Sequence, residues 1–231
     1  MDRSDIQETL VSLYLRLNGY FVSGFIVHAQ NGATTEMDVL AVRLPRHQEP
    51  EREVQCCKHL AIPSNQVDFI VGEVKGGRGA VNFNARFREN PGAIKTVLHR
   101  FGAFDEPEIS CVMARVPALL EPANVRKAPA FPELDVAISK QLGPGLAKLR
   151  FVPFAAEQER PEAHARPYLF ADDLLAFVWL CFRPEQQRPR CDDHYNYEVW
   201  GPQFISMVRY FKDPNRQTAG TIEDLYREYA T

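Results

Sequence analysis

No stretch of this chain is long and apolar enough to cross a bilayer. The longest apolar segment, LLAFVWLCF (174–182), falls far short of the roughly 20 residues that a spanning helix needs. The start, MDRSDIQETL, lacks the basic patch and apolar stretch of a secretory signal. The five cysteines (Cys56, Cys57, Cys111, Cys181, Cys191) form an odd set without disulfide-framework spacing. Neither Cys56-Cys57 with His59 nor Cys191 with His194 has the second ligand pair of a zinc site. These absences predict a cytoplasmic protein with reduced thiols and no membrane attachment. The formal charge of −3 gives no global basic footprint, so any nucleic-acid surface must be local. G-x-x-x-x-G-K-[ST] is also missing, which excludes a P-loop at Gly76-Gly77.

A chain of 231 residues buries roughly 70% of its unfolded surface and folds without a disulfide or structural metal. Ser4 and Gln7 have the spacing of a capping box, and Leu10, Leu13, Tyr14 and Leu17 recur at helical period before Asn18-Gly19 stops the helix. YFVSGFIVHA (20–29), EMDVLAVRL (36–44) and VDFIVGEVK (67–75) read as strands, with an irregular excursion from Pro45 to Gln66. A helix is expected over 92–103, a fourth strand over EISCVMARV (108–116) and a fifth over KLRFVPFA (148–155). Beyond about residue 156 the strands stop, and 172–182, 202–211 and 221–230 read as helices, with Trp179 in the core. The expected fold is α/β or α+β: a mixed central sheet flanked by helices over 1–155, with an insertion near 45–66, and a helical extension over 156–231. The first three strands suit a meander, and the helix before the fourth permits a parallel crossover.

The stretch VDFIVGEVKGG (67–77) carries Glu73 and Lys75 into an apolar strand and ends at two glycines. Strand alternation sets Glu73 and Lys75 on one face. The preceding strand sets Glu36 and Asp38 on one face too, and if the strands pair, Asp38 and Glu73 converge. Two carboxylates about 4 Å apart repel by roughly 4 kcal/mol at an effective dielectric of 20, so one takes a proton or a cation sits between them. Two carboxylates, a backbone carbonyl and waters suit Mg²⁺ or Mn²⁺ rather than zinc. A nearby lysine can steer water and offset charge on a phosphate. For an E-x-K tripeptide alone an ion pair or a solvated strand end is the favoured reading, and it is the order of the elements around it that shifts the balance.

In its order of helix, strand, acid-bearing strand, E-x-K strand and helix, the region 4–116 resembles the PD-(D/E)xK nuclease superfamily, with its restriction-endonuclease-like core. The resemblance implies that Asp38 and Glu73 are metal ligands, that Lys75 is the catalytic lysine and that Glu8 is the glutamate many members add from the first helix. Met37 stands where the motif's name has proline, and the interval from Asp38 to Glu73 is long. Just after the E-x-K strand, GGRGAVNFNARFRENPGAIKTVLHR (76–100) gathers Arg78, Arg86, Arg88, Lys95 and Arg100, cations suited to phosphates, while Asn82, Phe83 and Asn84 offer polar and stacking contacts. The expected activity is hydrolysis of phosphodiester bonds, in DNA rather than RNA, by a Mg²⁺-dependent endonuclease. The C-terminal helices offer a surface for a second copy or another protein. The alternatives are a catalytically silent nuclease-like module that binds nucleic acid or protein, and an enzyme switched on by a ligand or partner.

Overall fold

The computed structural model describes residues 1–28, 34–48, 54–77, 82–121, 131–138, 145–160, 168–182 and 201–230. Asp2, not Ser4, caps the first helix, α1 (Arg3–Leu17). Its carboxylate accepts from the Asp5 amide at 2.8 Å, and Asp5 accepts from the Asp2 amide at 3.0 Å. The Ser4/Gln7 box does not form, because Gln7 turns inward and Ser4 Oγ donates to Glu8 at 3.1 Å. Asn18-Gly19 ends the helix as expected, with Gly19 in the left-handed region at φ +85°.

The strands β1 (Phe21–His28), β2 (Thr34–Arg43) and β3 (Val67–Val74) form an antiparallel meander. After β3 come α2 (Ala85–Arg88), α3 (Pro91–Phe101) and α4 (Glu106–Leu119), then β4 (Glu133–Ile138) and β5 (Gly145–Ala155). β5 returns parallel to β3, the crossover that intervening helices permit, and β4 pairs antiparallel with its other edge. The order is β1-β2-β3-β5-β4, and a two-residue strand, β6 (Leu169–Phe170), runs parallel to the end of β5. The helices α5 (Ala171–Phe182), α6 (Pro202–Lys212) and α7 (Ile222–Tyr229) follow. The protein is thus α/β, with a mixed six-stranded sheet and, among the described residues, seven α-helices.

Residues 108–116, expected as a strand, belong to α4. Asp105 and Glu108 close a capping box at 2.9 and 2.7 Å, and Ile109, Val112 and Val116 share one buried face. The apolar run looked strand-like, but helical spacing and the cap decide. The strand in that part of the chain is β4, where Leu134, Val136 and Ile138 alternate with exposed residues. β6 is a strand after residue 156, where only helices were expected.

Each face of the sheet has its own core. Ile70, Val74, Val152 and Phe154 pack with α1, α5, α6 and α7, while Phe69, Val71, Leu149 and Phe151 pack with α3 and α4. Under α1 lies a buried ionic group. Arg150 Nε donates to Asp68 at 2.8 Å, Nη1 to the Leu60 carbonyl at 2.6 Å, and Nη2 to Asp68 and, at 3.0 Å, to Tyr20 Oη. Tyr20 Oη in turn donates to Asp68. The fork matches the carboxylate, and every polar end is used, so this charge is tolerated in the core.

Candidate active site

The E-x-K motif lies at the C-terminal end of β3. Val39 pairs with Gly72, the last pair of the β2–β3 ladder, and Asp38 and Glu73 are the next residues on the two strands. Along β1, Ser23 pairs with Leu40 and Phe25 with Met37, so Gly24 alone spans Asp38 and Val39. This β-bulge in β2 breaks the side-chain alternation at Asp38. A side chain at Gly24 would put its Cβ 3.0 Å from the Asp38 carbonyl. The Asp38 carboxylate reaches across to accept from the Val74 amide at 2.6 Å.

Glu73 continues the row of Phe69 and Val71 and is only 2% exposed. Its Oε1 is ion-paired with the Lys75 ammonium, and its buried Oε2 has no hydrogen-bond partner. Burial, and then the charge of Asp38, push the Glu73 carboxyl up to about 7, against the pull of Lys75 and the Asn84 amide. An unsatisfied buried carboxylate oxygen beside a second carboxylate is an arrangement that a proton or a cation relieves.

Glu8 shares a space with Asp38. Both line a cleft of about 660 Å³ between α1 and β1, with Ser12 and Arg16 on the helix side and Tyr20 to Gly24 on the strand side. Thus Asp38 is common to two groupings, Glu73–Lys75 at the end of β3 and Glu8 in the cleft.

The corner after Lys75 is clasped. The Lys75 amide donates to the Phe154 carbonyl at 2.8 Å, and the Ala156 amide to the Lys75 carbonyl at 3.2 Å, so β3 stays zipped to β5 beyond its last strand residue. The Gly77 amide donates to Glu157 Oε2, and Gln158 Nε2 donates to the Gly77 carbonyl at 2.9 Å. Glu157 Oε1 accepts from Gln7 Nε2 at 2.9 Å and from Tyr226 Oη at 2.7 Å. A Cβ at Gly76 would fall 2.8 Å from Gln7 Nε2, so the glycine lets backbone and amide meet. Residues from α1, β5 and α7 therefore hold the E-x-K corner. Sequence reading missed Gln7, Glu157 and Tyr226: they are 69 to 219 positions apart, and no local pattern links them.

The basic segment is only partly free to meet a ligand. Arg86 is exposed, but Arg88 Nε donates to the Phe83 carbonyl at 2.9 Å and Lys95 pairs with Glu106 at 2.9 Å. Arg100 is exposed at the end of α3, and Arg78 lies outside the described residues. Phe83 is buried against Phe87 and Phe151, which corrects its assignment as a stacking surface. Asn84 caps α2. Among the described residues no group of three or more His, Cys, Asp or Glu side chains is placed to hold a metal ion, so a cation here would rest on Asp38 and Glu73 with backbone and water oxygens. Compared with protein-family models, curated proteins and solved structures, the chain matches none.

Proposed function

We propose that the protein is a divalent-metal-dependent nuclease with a restriction-endonuclease-like core, cutting phosphodiester bonds in DNA. One observation carries this: a buried glutamate with an unsatisfied oxygen is within electrostatic reach of a second carboxylate and is ion-paired to the lysine two residues on. The order of helix, three meandering strands, helices, an antiparallel edge strand and then a strand parallel to the third supports the same reading.

The donor set fits Mg²⁺ or Mn²⁺: Asp38 and Glu73 are hard oxygen ligands, and Glu73 Oε2 lacks a partner that a cation would supply. Bound there, the ion would supply Lewis acidity toward a phosphate oxygen and acidify a water. Asp38, fixed by the Val74 amide, presents its carboxylate at the rim where the phosphate must approach. Glu73 must lose its proton before it can act as a ligand. Lys75, with its backbone zipped to β5 and its ammonium on Glu73, is held to orient water and offset charge growing on the phosphate. Glu8 faces the same cleft as Asp38 and would bind water or a second ligand from the helix side. Among the described residues of the basic segment Arg86, Lys95 and Arg100 are exposed, and Arg86 would meet a flanking phosphate.

The rival reading, a silent nuclease-like module, is favoured by the Glu73–Lys75 ion pair, which can be a structural bond and no more. Incubation of the protein with plasmid and linear DNA separates the two. Nicking or degradation with Mg²⁺ or Mn²⁺, stopped by chelation and lost in each of Asp38→Asn, Glu73→Gln and Lys75→Ala, is the expected result, because the three act as a unit. Wild-type cleavage by any one variant removes the assignment.

A further inference from the structure

We propose that the protein forms a twofold dimer through β1, the edge strands of two copies pairing antiparallel so that their sheets join into one. The inference goes beyond the nuclease reading and does not depend on it.

The two edges of the sheet are built differently. β4 pairs with β5 alone, and its exposed Glu133 and Asp135 both pair with Lys148, at 3.0 and 2.9 Å. Acids along an edge strand repel a second edge of the same kind, one of the devices that keep sheets from joining. β1 (FVSGFIVH) is as long as the central strand β3 and holds no Lys, Arg, Asp, Glu or Pro. Among the described strands it pairs with β2 alone. Phe21, Ser23 and Gly24 are exposed, so this half of the edge is open to solvent. Its outward amides and carbonyls form an unguarded row over eight residues, a length of about 27 Å.

An exposed aromatic ring marks the same place. Phe21 pairs with Val42 across the β1–β2 ladder and so stands on the α3 face of the sheet. It is 68% exposed, the most exposed large apolar side chain among the described residues, and it borders a groove of about 220 Å³ with Leu40, Val42 and Phe101. A lone exposed apolar residue is ordinary, but a ring and an apolar groove at the end of an uncharged edge strand suit a strand-addition contact. In an antiparallel pair, the ring of each copy lies beside the far end of the other copy's β1 and leaves water.

Two features name a second copy as the occupant. In a twofold antiparallel pair each residue of β1 faces residues of the same strand, so ionised side chains there would meet their own kind, and β1 has no acid, lysine or arginine to set against itself. The acids of β4 guard the opposite edge, so assembly closes at two copies and does not run on into a fibre. Neither feature is needed to receive a strand from a different protein.

The test is sedimentation velocity of the full chain over a range of concentrations, with amide hydrogen exchange at the dilute and concentrated ends. A reversible monomer–dimer equilibrium is expected, with β1 amides exchanging more slowly in the dimer and β4 amides unchanged. Phe21→Lys and Ser23→Lys, both at exposed positions, should each weaken dimerisation roughly tenfold or more while the melting temperature of the monomer stays as in the wild type. Phe21→Leu should retain the dimer. A monomer at every concentration overturns the proposal, as does a dimer indifferent to both lysine variants. Slowed exchange in α6 or α7 in place of β1 also overturns it and moves the contact to the C-terminal helices. Assembly beyond two copies overturns the closure, and a monomer that takes up a different protein along β1 overturns the second copy as occupant. Dimerisation is read without DNA or metal, so its failure leaves the nuclease reading standing, and a failure of metal-dependent cleavage leaves the dimer.

Discussion

Asp38 and Glu73 carry like charge on adjacent strands, one step past the Val39–Gly72 pair, and Asp38 helps to hold the Glu73 carboxyl near neutrality. Most carboxylates in a fold titrate far below the working pH and contribute little to its variation. Here a single group at the end of the central strand changes charge within the physiological window.

The sign of the resulting pH dependence follows from the raised value. Below about 4.5 the carboxyl is protonated in both the folded and the unfolded chain. Between 4.5 and about 7 the unfolded chain ionises while the folded one keeps its proton, and above 7 both are ionised. The stability contribution is therefore complete below 4.5 and is lost as pH rises through 7, by roughly 3 kcal/mol in total. Denaturant melts from pH 5 to 8 with chelator should show the wild type losing stability against Glu73→Gln. Parallel curves would contradict the assignment. Since only the ionised carboxylate binds a cation, Mg²⁺ should stabilise the wild type more at pH 8 than at pH 6.

Much of this centre was legible in the sequence because it rests on period-two alternation. Glu73 and Lys75 are two residues apart at the end of β3, and antiparallel pairing of β2 with β3 brings Asp38 within electrostatic reach of Glu73. The helices after residue 170 were legible for the same reason at a period of 3.6. What escaped was either decided by caps or assembled from distant positions. Residues 108–116 are equally apolar as strand or helix, and the Asp105–Glu108 box settles the matter. The bulge at Asp38 depends on the register of β1, which composition does not encode. Asp68 has no local signal in the sequence, because its counter-ion Arg150 lies 82 positions away.

Asp38 and Asp68 make a matched pair for mutation, each a β-sheet aspartate with opposite physics. Asp38→Asn removes a like charge from Glu73, and an amide oxygen can still accept from the Val74 amide. Stability of the metal-free protein should be unchanged or rise by about 1 kcal/mol. Asp68→Asn leaves the fully buried Arg150 without its counter-ion and should cost about 3–5 kcal/mol. Thermal and urea melts, with and without Mg²⁺, read both. The wild type and Asp68→Asn, if folded, should gain stability with Mg²⁺, and Asp38→Asn hardly any. A large metal-free loss in Asp38→Asn, with no Mg²⁺ response in the wild type, would make the E-x-K strand structural and end the nuclease mechanism.

The clasp on Gly77 ties the C-terminal helix to the E-x-K corner and can be tested on its own. Glu157 is an acceptor for three donors: the Gly77 amide, Gln7 Nε2 and Tyr226 Oη. Glu157→Gln turns one oxygen into an NH₂ group that faces another donor. A hydrogen bond to a charged group is lost, at a cost of about 1.5–3 kcal/mol. Tyr226→Phe removes one bond and keeps the ring's packing, for about 1 kcal/mol. If the clasp sets the place of Lys75, Glu157→Gln should lower the cleavage rate about tenfold or more, at temperatures where the variant is fully folded and binds DNA as the wild type does. Tyr226→Phe should fall between the two. Because Gln7 and Tyr226 share Glu157, the double variant Gln7→Ala/Tyr226→Phe should lose less than the sum of its parts, with a coupling of about 0.5–3 kcal/mol. Equal cleavage rates in the wild type and the folded Glu157→Gln protein would reduce the clasp to a stabilising contact and free the C-terminal helices from any part in the reaction.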